Sequence, residues 1–317
     1  MEQKYSITLS ELKAVSTRIE PYINKTPVLT SSSLDEIFGC KLYFKCENFQ
    51  KAGAFKSRGA VNAIFSLPKV QLMSGVATHS SGNHAQALAR AAMIRNIKSY
   101  IVMPKSSPKV KVKAVEEYGG EITFCDNNLQ SREDTLFSIL EKTNAIEVHP
   151  YNNSLIIAGQ ATTAKELYEE HKKLDCILAP VGGGGLLSGT ALTTRLISPK
   201  TTVIGCEPKQ ADDAYRSFIK RKLIPQTNPK TIADGLRTSL GDINFSIIIN
   251  NVDYILTASE KSITMAMRMI WERMKIIIEP SSALPIAVLL ENKEYFKDKS
   301  VGVIISGGNI DLDNFKW

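Results

Sequence analysis

From Gly75 onward, short apolar runs alternate with helix-like stretches, and this alternation constrains the fold more than any other feature of the chain. Gly75–His79 reads as a short apolar strand and Asn83–Arg95 as an Ala-rich helix. Ser99–Met103 is a strand ended by Pro104, and Lys109–Tyr118 a helix ended by Gly119 and Gly120. Glu121–Cys125 is a strand, Ser131–Lys142 a helix and Ala145–Val148 a strand. A second series runs through helix Ser154–His171, strand Cys176–Pro180, helix Leu186–Ile197, strand Thr202–Cys206 and helix Asp212–Arg221. It ends with a strand at Tyr254–Thr257, helices over 260–274 and 281–291, and strand Val301–Ser306. Strands separated by helices pair in parallel and need helical cover on both faces. Ahead of the alternation, 8–24 has apolar residues at helical spacing (Leu9, Leu12, Val15, Ile19, Ile23) with Ser10 as a cap. Thr26–Thr30 is extended, Lys41–Lys45 is a strand, and a helix follows through Ile64. The expectation is an α/β protein with two open, twisted, mainly parallel sheets. Residues 75–149 form a small domain, and 1–74 combine with 150–317 into a large one.

The 317 residues, 43% of them hydrophobic, suffice for two cores of this kind. The net charge of +7 raises nucleic-acid binding as an alternative. The densest basic run, Lys105 to Lys113, has no interleaved aromatics and follows Pro108 as the solvated face of a helix does. The charge suits small anionic ligands equally well. Five cysteines (Cys40, Cys46, Cys125, Cys176, Cys206) are odd in number, widely spaced and without a Cys-x-x-Cys, which points to free thiols in a reducing compartment. No apolar stretch follows Met1–Lys4, so no signal peptide is expected. The uncharged run Ile177–Thr194 holds five glycines and a proline and makes a poor membrane span. A cytoplasmic protein that binds neither membrane nor nucleic acid is expected.

Five stretches carry chemistry. In Asn48–Ala60 a Gly-containing turn enters a helix at Phe55-Lys56-Ser57. A lysine at a helix N-terminus is biased toward the neutral amine, and a phosphate is welcome nearby, which together suggest a Schiff-base lysine for a phosphorylated aldehyde. The bland alternative is a surface lysine. In Pro180-Val181-Gly182-Gly183-Gly184-Gly185-Leu186, four glycines between strand and helix leave bare amides that can wrap an oxyanion. No Gly-Lys-Ser/Thr follows, and Leu187 and Ser188 break a G-x-G-x-x-G, so neither nucleotide motif applies. Ser80-Ser81-Gly82-Asn83-His84, also between strand and helix, suits a carboxylate or is simple capping. Ser306, in Ile305–Asn309, follows the last strand, where ligands bind in parallel sheets. Glu207–Asp213 brings two carboxylates and a carbonyl within reach of a hard divalent ion, or is an acidic helix start. His79, His149 and His171 lack ligand spacing.

Taken together and in this order, these motifs resemble the serine racemase and serine/threonine dehydratase group of fold-type II pyridoxal-phosphate enzymes, whose fold is like that of the tryptophan synthase β chain. The similarity runs from Thr26-Pro27-Val28 and Phe44–Glu47 through the Lys56 loop, Ser81–His84 and the glycine loop to Ser306–Asn309. It implies that Lys56 carries pyridoxal 5'-phosphate as a Schiff base, with Phe55 packed beside it. Gly182, Gly183, Gly184, Gly185 and Leu186 hold the phosphate, Asn83 meets the ring hydroxyl and Ser306 the pyridine nitrogen. Ser80, Ser81, Asn83, His84, Arg132 and Ser239 face the substrate. Lys56 and Ser81 are the two proton carriers, and two are needed because one lysine reaches one face of the α-carbon. Glu207, Ala211 (carbonyl) and Asp213 hold a divalent cation, Mg2+ or else Ca2+ or Mn2+. ATP is implied as an allosteric ligand near Ser31, Ser32, Lys51 and Tyr118, and a homodimer as the assembly. The implied substrates are β-hydroxy amino acids (L-serine, L-threonine, D-serine), racemised or dehydrated to a keto acid and ammonia. Ending soon after Asn309, the chain is expected to lack the regulatory domain of biosynthetic threonine deaminases. The alternatives are a threo-3-hydroxyaspartate ammonia-lyase, with Arg132 meeting the second carboxylate, and a non-catalytic cofactor-binding protein.

Overall fold

The computed structural model describes residues 5–313; Met1–Lys4, where a signal peptide was excluded from sequence, lie outside them. The chain opens with α1 (Leu9–Ile19), β1 (Val28–Leu29), α2 (Ser32–Phe38), β2 (Lys41–Cys46) and α3 (Lys56–Ser66). It continues with β3 (Val76–His79), α4 (Asn83–Arg95), β4 (Ser99–Pro104), α5 (Lys109–Glu117), β5 (Glu121–Cys125), α6 (Leu129–Thr143) and β6 (Ile146–Glu147). Then come α7 (Ser154–Glu170), β7 (Cys176–Pro180), α8 (Gly185–Ile197), β8 (Thr202–Pro208), α9 (Asp213–Lys220) and α10 (Asp242–Asn251). The last elements are β9 (Tyr254–Ala258), α11 (Glu260–Met274), α12 (Pro280–Glu291), α13 (Lys293–Phe296) and β10 (Ser300–Ile305).

The strands form two sheets. One has the order β5-β4-β3-β6 and is parallel throughout. The other has the order β1-β2-β10-β7-β8-β9, with β1 alone antiparallel to its neighbour. The expected fold class holds. Side-chain alternation distributes each central strand to two cores. On β7, Cys176 and Leu178 pack toward α11 and α12, while Ile177 and Ala179 pack toward α7 and α8. The middle of α12 is apolar all round and buried, as a helix enclosed by sheet and helices must be. Gly302 on β10 is required by close approach: a Cβ there would lie 2.8 Å from Leu174 and 2.9 Å from Leu167.

Several expectations need correction. α1 is capped by Thr8, not Ser10, through a reciprocal pair in which Glu11 N–H donates to Thr8 Oγ1 and Thr8 N–H to Glu11 Oε2. The helices α2 and α10 were missed. The second, Asp242–Asn251, is rich in β-branched isoleucines that read as strand and are held helical by their packing against α8. β8 runs two residues past Cys206, so Glu207 lies within the strand. Among the described residues no helix is long and apolar enough to cross a membrane, and all five cysteines are free and buried.

Candidate active site

The stretches singled out in the sequence gather at the carboxyl ends of parallel strands: 48–60 follows β2, 80–84 follows β3, the glycine loop follows β7, Glu207 lies at the end of β8 with 209–213 beyond it, and Ser306 follows β10. In an open parallel sheet that edge is where ligands collect.

Lys56 is the first residue of α3. Phe55, just before it, donates its N–H to Ser306 O at 3.0 Å, tying the lysine turn to the end of β10. The Lys56 ammonium donates to Pro150 O at 2.6 Å and lies 5.3 Å from the Phe55 ring and 5.9 Å from that of Tyr151. Burial pulls its pKa down to about 8, against the opposing charge of Glu279. Desolvation is therefore the leading cause, not the helix N-terminus invoked from sequence. Two residues on, Arg58 anchors α3. It grips Glu47 with Nε and Nη2 at 2.7 and 2.8 Å and Glu166 with Nη1 and Nη2 at 2.6 and 2.7 Å. Lys45 completes the buried cluster at 2.7 Å from Glu166.

The glycine loop is crowded as well as bare. Gly184 caps α8 at φ 97, a left-handed conformation that glycine adopts without strain. A Cβ on Gly183 would fall 2.3 Å from the Tyr151 ring, and one on Gly182 3.0 Å from Leu236 Cα. Among the described residues the N–H groups of Gly182, Gly183 and Gly184 donate to no protein acceptor. Those of Gly185 and Leu186 open α8, where no intrahelical acceptor exists. Unspent amides at a helix N-terminus and a desolvated amine, both against the Tyr151 ring, fit a phosphorylated aldehyde.

In the Ser80 loop, Ser80 Oγ accepts Gly82 N–H at 3.3 Å, whereas the Ser81 hydroxyl has no protein partner among the described residues. The His84 ring is buried, with Nε2 3.0 Å from Val148 O, so its imidazole belongs to the interior and only its main-chain amide faces the helix start. Burial and the nearby Lys56 charge push its pKa well down. Asn83 Nδ2 donates to Glu279 Oε1 at 2.8 Å and its Oδ1 accepts from Asn309 Nδ2 at 3.0 Å. Ser306 Oγ is 2.9 Å from Ser282 Oγ.

Arg132, on α6, has a buried Nε without a partner, and its charge reaches Tyr151 and His79. Ser239 accepts Gln226 N–H at 2.9 Å; the neighbouring Thr238 is close enough to the Tyr151 phenol to oppose the rise that burial gives its pKa. His149 accepts Asn152 N–H at 2.9 Å on Nδ1 and stacks edge-on to Tyr151, a structural role. Glu207 and Asp213 are both buried. Glu207 caps α9 by accepting Ala214 and Tyr215 N–H at 2.9 and 2.8 Å. Asp213 Oδ2 accepts Leu240 N–H at 2.8 Å, and its Oδ1 has no partner. Burial and mutual repulsion raise the Glu207 pKa, and burial lifts that of Asp213 to about 6. Two carboxyls strained against ionisation, one oxygen unspent, and the adjacent Ala211 carbonyl fit a hard cation. Ser31 and Ser32 start α2, Lys51 is exposed and Tyr118 ends α5.

The sequence reading missed Pro150 O, Tyr151, Glu279 and the Lys111–Asp234 pair. Only Glu279 carried a signal, as the residue before a helix-starting proline.

A sequence profile of the family described as "Pyridoxal-phosphate dependent enzyme" matches residues 19–307. The chain is 50% identical over 313 residues to the beta-hydroxyaspartate dehydratase of Paracoccus denitrificans, covering 99% of each. It is 49% identical to the serine racemase of Dictyostelium discoideum, covering 99% of this chain and 98% of that one. The structure of maize serine racemase superposes with a TM-score of 0.95 at 43% identity, over 98% of this chain and 95% of that one.

Proposed function

The chain belongs to the family of pyridoxal-phosphate dependent enzymes, and from that premise we propose that it racemises serine and dehydrates serine and threonine to a keto acid and ammonia. The observation that carries this reading is the desolvated Lys56 amine and the cup of unspent amides, which both lie against the Tyr151 ring. Lys56 would hold the cofactor covalently, Gly182 to Leu186 its phosphate, Asn83 its ring hydroxyl and Ser306 its nitrogen. Once bound, the cofactor supplies an electron sink for the α-carbon. The remaining work falls to the chain's own groups. The main-chain amides of 80–84 bind the substrate carboxylate, and the Lys56 amine, freed when the substrate amino group takes its place, removes the α-proton. Ser81, whose hydroxyl is free of protein partners, returns a proton from the opposite face to give the enantiomer. When the β-hydroxyl departs instead, it leaves as water, and the released enamine acid takes up water in turn to give the keto acid and ammonia.

Incubation of the protein with each β-hydroxy amino acid, with keto acid and D-enantiomer measured side by side, tests the reading; formation of neither product sinks it. In that assay Ser81→Ala should cut racemisation at least about 100-fold and spare elimination from L-serine to within about threefold. Equal loss of both products would remove Ser81 from its role. A second reading, 3-hydroxyaspartate ammonia-lyase, is favoured by the partnerless Arg132 Nε and by the Paracoccus relative. Turnover of 3-hydroxyaspartate far above serine selects it.

The division into a small domain at 75–149 and a large one rests on the two sheets. Glu207, Asp213 and the Ala211 carbonyl would hold Mg2+, or Ca2+ or Mn2+. Without a cation, Asp213 binds its proton more tightly folded than unfolded, so stability falls as pH rises from about 4 through about 6. Added Mg2+ should raise the melting temperature most above pH 6 and little at pH 4; an equal shift at both removes the site. The five unpaired cysteines support the cytoplasm. A homodimer and an ATP site near Ser31, Ser32, Lys51 and Tyr118 follow from the family resemblance, and size-exclusion chromatography with and without ATP tests both.

A further inference from the structure

Short polar contacts join the four-stranded unit to the six-stranded one at this cleft, and they cluster at the Gly82–Asn83 end of the Ser80–Ser81–Gly82 loop. Asn83, directly after the loop, donates to Glu279 Oε1 at 2.8 Å. Lys111, on α5, donates to Asp234 Oδ2 at 2.6 Å, and its Nζ would lie 3.5 Å from a Cβ on Gly82. We propose that Glu279 and Lys111 are positioning residues that fix the Ser81 loop over the Lys56 face and thereby set how the reaction divides between proton return and loss of the β-hydroxyl. This rests on the function proposed above.

The two anchors stand on rigid ground. Glu279 caps the buried helix α12, and its N–H donates to Gly307 O at 3.1 Å, next to Ser306. Its carboxylate accepts from Asn83, has no ion pair among the described residues, and leaves Oε2 without a partner. Asp234 opens a short 3-10 turn, 234–236, whose Leu236 backs Gly182 of the phosphate cup. Lys111 has a side chain only 4% exposed. A buried ammonium is strongly unfavourable without its partner, so the Lys111–Asp234 contact selects the arrangement in which the loop is drawn in. Glu279 adds to that pull from the Asn83 side, since its charge also reaches Lys111.

The two outcomes differ in what they ask of this loop. Elimination needs Lys56 on one face. Racemisation also needs the Ser81 hydroxyl within hydrogen-bond reach of the other face, and a displacement of about 1 Å there costs on the order of 100-fold. Loosening either anchor therefore penalises racemisation more.

The test uses the holoenzyme with Lys111→Met, Asp234→Asn and the isosteric Glu279→Gln. Expected is a drop of roughly tenfold or more in the ratio of D-serine to pyruvate formed from L-serine, with KM raised because the loop also carries the carboxylate amides. Lys111→Arg should restore part of the ratio. Independently of activity, amide hydrogen exchange over residues 80–85 should quicken in the variants, with exchange in β7 and α12 unchanged; a merely structural role would quicken exchange throughout. A ratio within about twofold of the wild type in every folded variant overturns the inference, as does unaltered exchange over 80–85. A wild type that forms neither product overturns the function itself, which keeps the two failures apart.

Discussion

Lys56→Ala should abolish both D-enantiomer and keto acid formation, each by at least about 1000-fold, while the protein still folds. The size of the effect follows from the burial of the amine. An ordinary lysine with a pKa near 10.5 is almost wholly charged at neutral pH. Lowering it to about 8 raises the neutral fraction roughly 300-fold, and only the neutral form bonds an aldehyde or takes a proton. No neighbour replaces it. Pro150 O, its hydrogen-bond partner, is an acceptor without a proton to give, and Arg58, on the same helix, is committed to Glu47 and Glu166. Folding is spared because alanine removes a desolvated charge rather than a packed apolar group. The measurement is both products in one assay, together with the visible absorbance of the protein supplied with cofactor and a thermal melt. Residual turnover within about tenfold of the wild type would show that the amine is dispensable.

Arg58→Met should cost about 3–5 kcal/mol of stability, with a fall in melting temperature on the order of 10 °C. Arg58 is wholly buried and neutralises two carboxylates. Its removal leaves Glu47 fully buried with no cation in its place, since Lys45 is spent on Glu166 and on the Thr26 carbonyl. An uncompensated buried charge is far worse than the pair it came from. The double variant Glu47→Gln with Arg58→Met should lose less than the sum of the single losses, because the stranded charge is gone. Thermal unfolding followed by circular dichroism measures both. A single-variant loss under about 2 °C would mean that the cluster is not what holds α3. The same cluster links stability to function, because α3 begins at Lys56.

The site was legible in sequence wherever chemistry and local structure share a short stretch. The lysine at a loop-to-helix entry, the four glycines between strand and helix, and the serine loop ahead of Asn83 each announce themselves through turn residues and helix starts. What stayed hidden depends on distant partners. Glu279 reads as an ordinary residue before a proline, and nothing in 317 residues says that it meets Asn83, 196 positions earlier. Tyr151 reads as a loop aromatic until its ring is found filling the space that glycine leaves at 183. The helix at 242–251 was lost for a related reason. Its isoleucines favour strand locally, and packing overrules them.

The sequence by itself determined the order of the strands and of most helices, the mainly parallel character of both sheets, and the identity of the residues at their carboxyl ends. Period-two and period-3.6 patterns and glycine-rich turns are local signals, complete within a dozen residues. Only the tertiary structure decided that Lys56 is desolvated, that Arg58 is caged by Glu47 and Glu166, and that Asn83 and Lys111 of the four-stranded unit meet Glu279 and Asp234 of the six-stranded one. Burial and charge pairing act through space, for Arg58–Glu166, Lys111–Asp234 and Asn83–Glu279 across more than a hundred positions of chain, and a linear pattern holds no record of that distance.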